Sequence, residues 1–234
     1  MKYAYDLHIH SVLSPCADEL MTPNNILNMA MLNNLDLISV TDHNSFKQYH
    51  ALTEIAESYD FILIPGVEIQ VEKAHILCYF RNKMDANGFD QYLQTNLIKR
   101  DFDHINLKEE VVTNVYDESL YCLNYHLISD LDTSFDEILK YLNGMDCVII
   151  LSHVDRKHYS ALKLINEGNI DLFDGIEITS NTDVETFINE NEILKDKTVF
   201  QNSDSHTIID LNERMNFIDL DEKSIDAFFK FFGK

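Results

Sequence analysis

A parallel β-sheet covered by helices, closed or nearly closed into a barrel, is the α/β fold that the sequence predicts, and three observations predict it. Apolar, β-rich runs alternate along the chain with segments of helical period. Two of the runs, "LDLISV" and "CVIIL", lack polar/apolar alternation, as strands buried on both faces do. The competing open, doubly wound sheet usually cradles phosphate on a glycine loop. Here no G-x-G-x-x-G or G-x-x-x-x-G-K-[ST] loop is present, and only six glycines occur.

In chain order, strands are predicted over 3–9, 35–40, 61–64, 75–80, 147–151, 175–178 and 199–201. Helices are predicted between them. One covers 23–33, opened by Thr22 as N-cap with Pro23 in the first turn; others cover 46–58, 135–143, 161–167 and 184–194. The stretch 82–132 holds a helix over 89–100 and then "LKEEVVTNVYDES", which suits helix or strand; it is read as an elaboration of the same domain. A chain of 234 residues, 45% hydrophobic, fits one barrel-sized domain over 1–234.

No apolar run approaches the roughly 20 residues that cross a bilayer, and the start "MKYAYDLHIH" is unlike a secretory signal, so a cytoplasmic protein without membrane contact is expected. Cys16, Cys78, Cys122 and Cys147 form no C-x-x-C pair and are expected to be reduced. The formal charge of −22 works against an extended nucleic-acid surface. A small anionic substrate stays open, because local cations can reverse the field inside a pocket.

Chemistry first shows in "DLHIHS". Alternate residues of a strand share a face, so His8 and His10 can reach one ion. The pair gains weight because other strand ends carry the same residue types: Asp42 and His43, Glu68, His153, and Asp204 with His206. In parallel β/α barrels such ends build the site. His75 opens its run instead of closing it, so either that strand runs antiparallel or the histidine enters from the turn before it. Asp6 and Asp42 are candidates to orient the neighbouring histidines. His50 and His104 read as solvent-facing.

"DLHIHS" at 6–11, "TDHN" at 41–44, "GVEI" at 66–69, His75, His153 and "SDSH" at 203–206 together resemble the ordered motifs of the PHP family, named for polymerase and histidinol phosphatase. The resemblance runs from Asp6 to His206. It implies a distorted (β/α)7, TIM-like barrel that hydrolyses phosphoesters at a centre of three divalent ions, with manganese, iron and zinc all suited to the ligands. It places one ion between His8, His10, Glu68 and Asp204, and a second between Glu68, His75 and His153, with Glu68 and Asp204 at the catalytic centre. A third falls to His43, His206 and a ligand from the loop after the first strand. Many members have "SDG" in that loop and others a histidine, whereas this chain reads "SVLSPCADEL". Asp18 is the expected ligand, as a hard oxygen donor, and Cys16 is the alternative.

Three such ions outweigh the charge of Asp18, Glu68 and Asp204, so the pocket can be cationic within an acidic protein. Water activated by metal is the expected nucleophile, and Arg156 is the expected grip on a phosphoryl oxygen. The expected activity is hydrolysis of a small phosphorylated metabolite or nucleotide. The alternatives are a metal-binding barrel without catalysis and an amidohydrolase-type hydrolase.

Overall fold

The computed structural model describes residues 1–99 and 108–234; His104 lies outside the described residues. The strands are β1 (Lys2–Ile9), β2 (Leu37–Val40), β3 (Ile62–Leu63), β4 (Gly66–Val71), β5 (Ala74–Phe80), β6 (Val111–Thr113), β7 (Ser119–Cys122), β8 (Cys147–Leu151), β9 (Gly175–Glu177), β10 (Thr198–Phe200) and β11 (Phe217–Asp219). The helices are α1 (Pro23–Leu32), α2 (Tyr49–Ala56), α3 (Lys83–Asn96), α4 (Phe135–Asn143), α5 (Val184–Glu190) and α6 (Ile225–Phe231).

The fold is mixed α/β. One sheet has the order β11-β1-β2-β3 and another β10-β9-β8-β5-β4, with β6-β7 as a separate hairpin. Two isolated parallel bridges link the larger sheets, Ile9 to Ser205 on one side and His43 to Glu68 on the other. Tyr5, Leu7 and Leu37 of the first sheet pack with Leu77, Tyr79, Val148, Ile150 and Phe200 of the second in one apolar cluster. Phe228 and Phe229 of α6 join this cluster and are fully buried, each worth about 1.5–3 kcal/mol of apolar burial. The opposite sheet faces pack against α1 to α4 in the main core, through residues such as Ile38, Val67, Ile69, Cys78 and Ile149.

The helix predicted over 135–143 forms with those bounds. A capping box between Ser134 and Glu137 opens it, and Phe135, Ile138, Leu139 and Leu142 fall on one buried stripe. The segment 161–167 is not helical, and side-chain amides explain why. Asn166 accepts from the Gly168 amide at 2.8 Å, and Asn169 binds both the Asn166 amide and the Leu164 carbonyl, each at 2.9 Å, so these side chains take backbone groups that a helix needs. The stretch read as helix or strand contributes β6 and the turn of the β6–β7 hairpin over its described residues 108–119, with most of β7 following it. The second sheet is not all parallel: β5 runs antiparallel to both β4 and β8. Glu72 and Lys73, at φ 48° and 59°, make the two-residue turn that reverses the chain. β11 and α6 went unread in the sequence.

Candidate metal centre

Two backbone irregularities aim the first ligand candidates. Tyr5 and Leu7 of β1 face the space between the sheets, and the register with β2 then shifts between Asp6 and Ile9. This bulge lets His8 and His10 face the same interior in spite of the change of parity, a common use of bulges beside sites. The β4–β5 turn places His75 directly across from Gln70, one pleat above Glu68. Gly66 is required where it stands, because a Cβ there would meet the Ser39 hydroxyl at 2.2 Å and Thr41 at 2.9 Å. The close passage of β4 against β2 leads straight into Glu68.

Glu68 is the hub. Its Oε1 lies 3.3 Å from His8 Nε2, 3.0 Å from His75 Nδ1 and 3.4 Å from His153 Nε2. Its Oε2 lies 3.3 Å from both His10 Nε2 and His43 Nδ1. Asp204 Oδ1 is 3.3 Å from His8 Nε2 and His10 Nε2, which are 3.2 Å apart. Donors bound tetrahedrally at about 2.0–2.1 Å stand about 3.3–3.4 Å from one another. The observed spacing is the edge of such a polyhedron.

Hydrogen bonds behind the imidazoles fix which nitrogen faces inward. Glu177 accepts from His8 Nδ1 at 2.9 Å, so the His8 lone pair is on Nε2. Ser14 gives its hydroxyl proton to Asp42 at 2.7 Å and is left to accept from His10 Nδ1 at 3.2 Å. Gln70, whose amide nitrogen donates to Asp130, offers its oxygen to His75 Nε2 at 3.2 Å, leaving Nδ1 toward Glu68. His206 Nδ1 donates to the Asp204 carbonyl at 2.8 Å. With the inward nitrogens deprotonated, as ligation requires, lone pairs point at carboxylate oxygens and at one another. Cations between them remove the repulsion, and the donor set fits borderline divalent ions.

The electrostatics follow from this packing. Burial alone would raise the Glu68 carboxyl, but His75, His8, His10 and His153 hold it well below the ordinary carboxylate range. Burial disfavours charge on His8 and His10 too, yet Glu177, Asp204 and Glu68 carry His8 well above its usual value, and Asp204 and Glu68 bring His10 to about 9. Burial together with the neighbouring His10 lowers His43 well below the imidazole range and His206 to about 4. His153 and Asp204 hold positive φ, 29° and 49°, the kind of backbone strain that gathers at sites.

The structure brings together His8, His10, His43, Glu68, His75, His153, Asp204 and His206. It does not bring Asp18. The Asp18 carboxylate is half exposed, accepts from the Leu20 amide at 2.9 Å and lies 3.8 Å from Lys108 Nζ, while its backbone N–H donates to the His206 carbonyl at 2.8 Å. That backbone bond pins the loop so that Cys16, not Asp18, stands within 4.8 Å of the ligand atoms of His10, His43 and His206. Arg156 Nη1 pairs with Asp204 Oδ2 at 2.6 Å. Asp42 orients His10 through Ser14, as above. Asp6 instead accepts from the backbone amides of Ser203 and Asn212, each at 3.0 Å.

Sequence reasoning missed Glu177, whose carboxylate also receives the His153 amide at 3.1 Å and the Asn202 amide at 2.8 Å. A glutamate inside the apolar run "GIEI" was the available signal. Gln70 and Tyr159, whose ring stacks on His75 with centroids 4.7 Å apart, were also missed.

A cavity of about 390 Å³ opens onto this cluster, rimmed by Arg156, Lys157, His158 and Tyr159. A polar cavity of about 380 Å³ shares Arg156 and Asp204 with it and is lined by Thr179, Asn181 and Ser203. A larger cavity of about 560 Å³ lies on the Asp18 side of the loop and shares no residue with the cluster of imidazoles, Glu68 and Asp204, whereas the first cavity contains that cluster and the second touches it through Asp204 and Glu177.

No protein-family model matches the chain, and no curated protein matches it. Among solved structures it is similar to a protein from Bifidobacterium adolescentis assigned as a metal-dependent phosphoesterase, with TM-score 0.56 and 17% identity over 86% of this chain and 87% of that one. A two-domain protein from Bacteroides vulgatus containing a PHP-like metal-dependent phosphoesterase matches with TM-score 0.57 and 17% identity, over 97% of this chain and 61% of that one. The fold is that of PHP-like metal-dependent phosphoesterases. The lesion-specific endonuclease Q of Pyrococcus furiosus has the same PHP-like fold over the matched part, with TM-score 0.68 and 20% identity over 98% of this chain. The match covers 55% of the endonuclease, so the chain spans little more than half of that protein's length.

Proposed function

We propose that this protein is a metal-dependent phosphoesterase that hydrolyses a small phosphorylated metabolite or nucleotide on a distorted (β/α)7 barrel. One observation carries the reading: five imidazoles surround the Glu68 carboxylate at 3.0–3.4 Å. The two bridges that link the sheets support the barrel. His8, His10, Glu68 and Asp204 would hold one ion and Glu68, His75 and His153 a second, with His43 and His206 available to a third. Ions there would polarise a phosphoryl oxygen and lower the pKa of water towards neutrality. Arg156 lines both cavities, so its guanidinium stands between the place for the phosphoryl group and a polar place for the rest of the substrate, lined by hydroxyls and amides beside Glu177 and Asp204. Glu177, Ser14 and Gln70 hold the imidazoles in the ligating tautomer.

The test is metal analysis of protein purified without added ions, joined to a panel of phosphomonoesters, a dinucleotide, duplex DNA and amides with manganese, iron or zinc. Turnover of a small phosphoester with at least two equivalents of metal is expected. Duplex DNA should be a poor substrate because the net charge of −22 opposes a phosphate-tracking surface. An amidohydrolase from Chromobacterium violaceum shares the fold, with TM-score 0.58 and 15% identity over 98% of this chain and 96% of that one, so the amide arm decides the principal competitor. Cleavage of amides without phosphoesters, or a protein that stays metal-free when supplied with all three ions, overturns the proposal.

A further inference from the structure

We propose that the third ion is held through sulfur: Cys16 joins His43 and His206, and this position takes a thiophilic or borderline ion, zinc, iron(II) or cobalt(II), in preference to manganese or magnesium. The inference rests on the phosphoesterase reading of the same pocket and adds the class of ion to it.

Cys16 is not alone in its surroundings. Its sulfur and ligand atoms of His10, His43 and His206 all lie within 4.8 Å of one another. His10 is already committed, since its Nε2 faces Glu68, Asp204 and His8. His206 donates through Nδ1 to the Asp204 carbonyl, which leaves the Nε2 lone pair without a task. His43 is buried, only 4% exposed, and its Nδ1 has no hydrogen-bond partner, with Glu68 Oε2 3.3 Å away. The rings of His43 and His206 flank that of His10, with centroids 4.6 and 4.5 Å away. Two imidazoles and one sulfur, with Cys16 on the solvent side, make a three-donor set with a position left for water or substrate, the arrangement of catalytic rather than structural zinc.

The local backbone holds Cys16 there. The Ala17 N–H bonds the Ser14 carbonyl at 2.9 Å and the Asp18 N–H bonds the His206 carbonyl at 2.8 Å, so the loop is tied to the strand end that carries His206. No other donor of the loop competes, because the Asp18 carboxylate is turned to the far side. A sulfur donor changes what the position selects. Thiolate ligands favour zinc, iron and cobalt, whereas manganese and magnesium favour oxygen. Binding releases the thiol proton, so the ion itself supplies the thiolate.

Cobalt reports sulfur directly. Protein stripped by chelator and titrated with cobalt(II) should develop a near-ultraviolet sulfur-to-cobalt charge-transfer band as the third equivalent binds. Cys16→Ser should lose the band and weaken zinc at that position by more than the ~10–100-fold that loss of an outer partner costs. Cys16→His should keep the third equivalent without the band, and Cys122→Ser, at an exposed thiol of the β6–β7 hairpin outside the ligand group, should change neither. Independently of any variant, zinc should protect Cys16 of the wild-type protein from alkylation while Cys122 stays reactive. Three equivalents without a charge-transfer band, a band that survives Cys16→Ser, or alkylation of Cys16 unaffected by zinc overturns the proposal and leaves the phosphoesterase reading standing. Binding of fewer than two equivalents overturns both.

Discussion

Glu177→Gln isolates the contribution of a residue that no ion touches. The wild-type carboxylate is an acceptor on every side: Oε1 receives the His153 amide at 3.1 Å, and Oε2 receives His8 Nδ1 at 2.9 Å and the Asn202 amide at 2.8 Å. A glutamine of the same shape must turn its NH₂ toward one of these donors. In place of Oε1, facing His153, it leaves a buried donor without an acceptor, at about 1–3 kcal/mol. Facing His8, it donates to Nδ1, moves the imidazole proton to Nε2 and blocks the lone pair aimed at Glu68 and Asp204. Either route should weaken metal binding by ~10–100-fold, the range for such outer partners, or about 1.4–2.8 kcal/mol. The assay is competition with a graded chelator, read beside the nitrogen chemical shifts of the His8 ring. Metal affinity within twofold of wild type, with the His8 proton still on Nδ1, would refute the tautomer argument.

Glu68→Gln should remove at least one equivalent of metal and all turnover, since one of the two bridging oxygens is replaced by an amide nitrogen that cannot bind an ion; full activity would remove Glu68 from the centre. Arg156→Ala should raise KM for a phosphoester at least tenfold while metal content stays constant, and loss of metal instead would make the residue a support for Asp204. Glu110 gives a pH test away from the ions. Burial pushes its carboxyl from 4.5 up to about 8; one oxygen accepts the Leu127 amide at 2.8 Å, and His126 Nδ1 lies 3.5 Å from that oxygen. The folded protein therefore keeps a proton that the unfolded chain releases, and stability falls as pH rises between those two values. Glu110→Gln keeps the Leu127 bond and should match wild type at pH ~4 but be more stable at pH ~9, by on the order of 2 kcal/mol; equal thermal midpoints at high pH would count against it.

The parts of the site legible in the sequence are those that strand periodicity and residue type encode. His8 and His10, two apart at the end of an apolar run, and Glu68 after "FILIPG" declared themselves, and the structure brings them together. What was not legible depends on backbone irregularity. The antiparallel β5 comes from a Glu72–Lys73 turn with no glycine or asparagine to announce it, so the reversal stayed one of two readings of His75. The choice between Cys16 and Asp18 was argued from hardness of the donor, whereas loop hydrogen bonding decides which one reaches the imidazoles. Helix 161–167 failed because propensity ignores side-chain amides that capture the backbone.

The acidity of the whole chain and the chemistry of its pocket then stop being in conflict. The surface carries most of the forty acidic side chains, while Glu68, Glu177 and Asp204 are enclosed among imidazoles whose lone pairs and ring protons are already assigned. In the protein alone, these carboxylates favour protons on His8 and His10 and so hold both imidazoles above their usual range, protons that an arriving ion displaces. Divalent ions do the same work more completely, because they satisfy several lone pairs at once and at the spacing already present. The ligand shell is therefore largely formed before an ion arrives. Little ordering entropy remains to be lost on binding, and the bulge in β1, the β4–β5 turn and the hydrogen bonds of Glu177, Ser14 and Gln70 are the features that keep it so.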